Sequence, residues 1–100
     1  MNNHPPSILD SAIVLAFAIV DNDVIYENRK TLYVNGVLLG AVPKLAICQN
    51  PDENEVMVFH CNKDWNVLGV SAHLSILEAV QIVERSYNGL LQKWVQVKNA

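Results

Sequence analysis

The chain has 100 residues, 51% of them apolar and 17% charged, with a formal net charge of −3. That length is one domain and that composition argues against a disordered chain; the acidic balance argues against nucleic acid as the main partner, because such a binder needs a clustered basic face to release counterions. A chain this short buries roughly 60–70% of the surface its unfolded form exposes, so the apolar surplus predicts exposed apolar area for a partner or a second copy.

Residues 1–6 read as a disordered lead-in ending in Pro5-Pro6. Met1-Asn2-Asn3-His4 has no basic n-region, so no signal peptide is expected. Ser7 followed by Ile8-Leu9-Asp10 resembles a capping box. Leu9, Ala12, Ile13, Ala16, Phe17 and Val20 then recur at three- and four-residue steps, which predicts a helix to about Val20. The competing reading is a strand, because Ile13-Val14-Leu15 and Ile19-Val20 are β-rich. Asp21-Asn22-Asp23 ends the element. Residues 24–30 connect, with a short extended piece at Val24-Ile25-Tyr26. Thr31 to Val34 reads as a strand and Asn35-Gly36 as a type I′ hairpin turn. Val37-Leu38-Leu39 returns, and Gly40-Ala41-Val42-Pro43 bends the chain, since Pro43 cannot donate to a ladder.

Lys44 to Cys48, Glu55 to Cys61 and Asn66 to Ser71 form an antiparallel meander. It is centred on the hairpin that turns at Asn62-Lys63-Asp64. Ser75 and Glu78 make a capping box for a second helix with the buried stripe Ile76, Ala79, Val80, Val83 and Tyr87. Gln81, Glu84 and Arg85 form its wet side, and Asn88-Gly89 its left-handed stop. Trp94 to Val97 alternates and is a candidate edge strand; residues 98–100 are a tail. The expected fold class is α+β, a two-layer sandwich. An antiparallel sheet of four to five strands carries two helices on one face, in one domain over residues 7–97.

Chemistry is sparse. Cys48 and Cys61 are too few for a disulfide scaffold, and a cytosolic chain with reduced thiols is expected. The longest apolar run, Ala12 to Val20, is nine residues, about half a membrane span. His60, Cys61, His73 and Cys48 lack metal-ligand spacing, and His60 and Cys61 point to opposite faces of one strand. Nothing activates Cys61 as a nucleophile. No phosphate loop occurs. No catalytic residue, cofactor or metal is therefore expected, and the chain reads as a non-enzyme. The acids gather at Asp21, Asp23 and Glu27 and at Asp52, Glu53 and Glu55. They are either solvated loops or an acidic docking face. Trp65 is either a cap on the core or an exposed anchor beside that face.

The run Phe59-His60-Cys61-Asn62-Lys63-Asp64-Trp65-Asn66-Val67-Leu68-Gly69, then Glu84-Arg85-Ser86-Tyr87-Asn88-Gly89 and Lys93-Trp94, resembles small bacterial cytosolic immunity proteins of toxin–immunity systems. The resemblance covers roughly residues 30–97. It implies a protein that binds a cognate toxin domain and blocks it, and it carries over no functional residue. The expected partner is a basic protein, such as a nuclease, met by Asp21, Asp23, Glu27, Asp52, Glu53, Glu55 and Trp65. Two alternatives stand beside it: a homodimerising module, and a small enzyme or ligand binder with His60 or His73 facing a pocket.

Overall fold

The computed structural model describes residues 3–27 and 33–97. The expected pair Arg29-Lys30, the strand start Thr31-Leu32 and the tail 98–100 lie outside the described residues. The elements are β1 (Ile8–Leu9), β2 (Ala12–Ile19), β3 (Ile25–Tyr26), β4 (Tyr33–Val34), β5 (Val37–Leu38), β6 (Lys44–Gln49), β7 (Val56–Cys61), β8 (Val67–His73), α1 (Ile76–Ser86), β9 (Tyr87–Asn88) and β10 (Val95–Gln96). The main sheet runs β1-β2-β6-β7-β8, with β10 sharing the outer edge of β2. Every pairing in it is antiparallel.

This corrects the expected two-helix sandwich. The described residues contain one α-helix, and the sheet curls into a half-barrel with two small ribbons beside it. The segment expected to be the first helix is a tight hairpin, β1–β2. Asp10 (φ +45) and Ser11 (φ +70) both take the left-handed conformation between Leu9 and its partner Ala12. That is the backbone of a two-residue primed turn. Asp10 is thus a turn residue and not the acid of a capping box.

The misreading has a physical cause. β2 is buried on both faces, so it has no polar positions to mark a period, and a wholly apolar run fits any periodicity. A bulge between Val14 and Ala16 also breaks the alternation. Val14 and Phe17 face one core with Ala46, Cys48, Phe59 and Trp65. Ala16 and Ala18 face the other with Leu45, Ile47, Val58 and Val83. The sheet therefore has two cores, and α1 covers only one of them. Each fully buried Leu, Ile or Val contributes about 1.5–3 kcal/mol.

The meander is present as β6-β7-β8. Asn35 (φ +53) and Gly36 (φ +80) turn the β4–β5 hairpin. Ser75 caps α1, its Oγ accepting the Glu78 N–H at 3.1 Å. α1 ends at Ser86 with Tyr87 as its C-cap (φ −121), so the expected left-handed stop at Asn88-Gly89 lies beyond the helix, after β9; at Gly89 (φ +98) a Cβ would sit 3.2 Å from the Asp23 carbonyl oxygen. β10 is the expected edge strand. Within the expected lead-in, Pro5 is buried and His4 packs edge-on to Phe17, centroids 4.9 Å apart.

Candidate functional site

The acids do not form one surface. β2 and β6 run antiparallel, with Ile19 beside Lys44 and Ile13 beside Gln49. Asp21 and Asp23 therefore lie past the Lys44 end of β6, and Asp52, Glu53 and Glu55 past its Gln49 end. A strand of that length separates them by about 17 Å. Asp21 and Asp23 instead meet Lys93, whose Nζ is 3.0 Å from Asp21 Oδ2 and 3.6 Å from Asp23 Oδ2. Lys93 holds the Asp21 carboxyl below its ordinary pKa. Glu27 is exposed beside the end of α1, its N–H donating to the Ser86 carbonyl at 2.8 Å. Glu53 stays in its own turn, accepting from Asn50 Nδ2 at 2.7 Å.

Trp65 is 5% exposed. It packs edge-on to Phe17, and Lys44 Nζ lies 5.0 Å from its ring centroid. It is the core cap of the two alternatives. Asn62 Oδ1 fixes its turn by accepting from Asp64 N–H at 2.9 Å and Asn66 N–H at 3.0 Å. Cys48 and Cys61 are free and buried, and burial pushes their thiols up to about 12 and about 11. Thiols held that far above neutrality are unreactive.

One concave feature, of about 430 Å³, lies against Trp65 and is lined by His4, Pro5, Pro6, Lys63 and Asp64 as well; two more lie on the α1 side of the sheet. The larger is a groove of about 750 Å³ between α1 and residues 91–97, lined by Leu15, Ile47, Ile76, Val80, Leu91 and Trp94 among others. The β2 bulge adds Leu15 to this side of the sheet. Glu84 ties down the chain that leads from α1 to Leu91. Its carboxylate accepts from Gly89 N–H and from Leu91 N–H, each at 2.7 Å, and so satisfies two donors just past the helix. The sequence reading placed Glu84 on the wet side and missed this role, since nothing local marks it. Trp94 Nε1 is buried without a hydrogen-bond partner. Ile76 and Leu91 are exposed in the groove, and Leu74, Leu77 and Val95 are exposed beside those elements.

The smaller feature is a cavity of about 40 Å³ under α1, lined by His60, Ser71, His73, Val83, Ser86 and Tyr87 among others. Ser71 Oγ lies 2.9 Å from His73 Nε2. Glu78 Oε1 lies 4.0 Å from His73 Nδ1 and accepts the Leu74 N–H at 3.0 Å. His60 Nε2 has no partner. Burial first, and His73 second, push His60 down to about 4. Burial also lowers His73, with Glu78 acting against it. Tyr87 OH accepts the Val42 N–H at 3.0 Å and is pushed up to about 12 by burial.

Among the described residues no group of three or more His, Cys, Asp or Glu is placed to hold a metal ion. None of their helices is long and apolar enough to cross a membrane. No protein-family model, curated protein or solved structure matches the chain.

Proposed function

We propose that this chain works by binding another protein through the groove between α1 and residues 91–97. The observation that carries the reading is the set of exposed apolar side chains that rim the groove, Ile76 and Leu91 within it and Leu74, Leu77 and Val95 beside it. Exposed Leu and Ile side chains around a concave centre are the usual form of an anchor-accepting surface. At the Lys93 margin two carboxylates, Asp21 and Asp23, face one ammonium, which favours a basic partner.

The net charge of −3 and the resemblance to immunity proteins give the reading its specific form. The chain is an inhibitor of a basic toxin domain, acting from the cytosol by occupying that domain's functional surface. Calorimetric titration against basic toxin domains of the nuclease type is the test. Leu91→Asp is expected to weaken binding at least tenfold, and Trp94 emission to shift on mixing. The double variant D52N/E53Q, at the far end of β6, is expected to bind as the parent does. Equal loss in both variants, or no loss with L91D, would refute the groove as the interface.

A further inference from the structure

The cavity under α1 is lined by three groups that binding another protein does not use, His60, Ser71 and His73, and a fourth, Glu78, stands behind His73. Ser71 and His73 are two residues apart on β8, so both project from one face of the strand. Ser71 Oγ is 2.9 Å from His73 Nε2. Glu78, in the first turn of α1, brings Oε1 to 4.0 Å from the other ring nitrogen. The N-cap bond from Glu78 N–H to Ser75 Oγ and the bond from Leu74 N–H to Glu78 Oε1 hold that carboxylate in place. His60 enters from the adjacent strand. It is 7% exposed, and its Nε2 is buried, unpartnered and part of the same cavity wall.

A hydroxyl on an imidazole, with a carboxylate behind that imidazole, is the arrangement that activates a nucleophile. Glu78 favours the tautomer with hydrogen on Nδ1, which leaves Nε2 to accept from the Ser71 hydroxyl. We propose that Ser71 is a nucleophile for acyl transfer from small esters. His73 is its base, Glu78 positions that base, and His60 Nε2–H is the donor to the oxygen that becomes negative.

The step balances with water as the only co-reactant. Ser71 Oγ bonds to the acyl carbon as its proton passes to His73 Nε2, and the carbonyl electron pair moves onto oxygen, facing His60. The bond to the leaving alcohol then breaks with its electron pair, and the proton on His73 goes to that oxygen. Water adds by the same route, releasing the carboxylate and restoring Ser71. A neutral imidazole suits the donor role, because it can give a hydrogen bond without giving up a proton. A cavity of about 40 Å³ admits an acetyl-sized group and excludes a long chain. The titratable groups around Ser71 are His60, His73, Glu78 and Tyr87.

The probe is 4-nitrophenyl acetate with the full chain. A burst of about one nitrophenolate per chain is expected, with one acetyl group found on the peptide containing Ser71. Ser71→Ala should abolish the burst. His73→Gln should slow it by about a hundredfold or more, the usual worth of a positioned base. His60→Gln, which keeps an N–H donor, should retain more activity than His60→Leu. The rate should be level above pH 6.5 and fall below it as His73, whose pKa lies under its ordinary 6.5, gains a proton. An acetyl group on Lys63 or another residue instead, or an unchanged burst in Ser71→Ala, overturns the proposal. So does no burst at all in the parent chain. The location of the adduct is read on the parent protein, so a variant that fails to fold leaves the test intact.

Discussion

Trp65 carries a conflict that its neighbours resolve. Its φ is +66, a conformation that costs an L-residue roughly 1–2 kcal/mol. The hairpin demands it: Trp65 N–H closes a turn on the Asn62 carbonyl at 3.1 Å, and Asn62 N–H reaches the Asn66 carbonyl at 3.0 Å. This is a three-residue loop with a left-handed bulge residue, a place usually held by glycine. Burial of the indole against Phe17 offsets the strain. Two variants separate the effects. Trp65→Ala loses about 3–5 kcal/mol of packing and keeps the strain. Trp65→Gly loses the same packing and releases the strain, so it should unfold at higher urea than the alanine variant by about 1 kcal/mol. The reverse order would show that the backbone is not strained there. His60 sets a second expectation. Its folded pKa, about 4, lies below its ordinary 6.5, so between those values the unfolded chain binds more protons. Stability should be level above pH 6.5 and decline by about 3 kcal/mol as the pH falls to 4. His60→Phe should flatten most of that decline in urea titrations across the range.

Among the elements, β1–β2 and α1 make the instructive contrast. The Ser75 cap and Glu78 were legible because a cap is a local pattern: a hydroxyl, then an acid three residues on, then an apolar stripe. Ser7 and Asp10 show the same spacing, yet there the chain folds back as a hairpin. Asp10-Ser11 is a poor match to a primed turn, which favours Asn-Gly. The double variant D10N/S11G should therefore raise stability by about 1 kcal/mol, measured as a higher urea midpoint. A helix over residues 7–20 would instead lose helicity in far-UV circular dichroism on gaining a glycine. Ser75→Ala should cost about 1 kcal/mol through the lost cap.

At the scale of the whole molecule, a curled sheet with cores on both faces decides what the surface offers. One core is closed by Trp65 and the other by α1. Residues 91–97 return along β2 to a strand position beside Phe17 and Ala16, and the groove is the space between that return and α1. Adding Ile76→Asp to L91D should lower partner affinity further while leaving the urea midpoint within about 0.5 kcal/mol, because both side chains are exposed. A large drop in stability would place them in the core and remove them from the interface.

Features that depend on neighbours along the chain are legible in the order of the residues. The meander of β6, β7 and β8, the Asn35-Gly36 turn, the Ser75 cap and the opposite facing of His60 and Cys61 are all such features. The remaining features arise from contacts between distant segments. The run from Ala12 to Ile19 is a strand because pairing on both sides satisfies its backbone, and an unbroken apolar run carries no period to reveal that. The acids at Asp21 and at Asp52 are separated because β6 lies between them. Glu78 meets His73 because α1 packs on β8, and the Ser71–His73 pair shares its cavity with His60 because β7 and β8 align them. Contacts between chain segments that fold back on one another leave no local mark in the order of the residues.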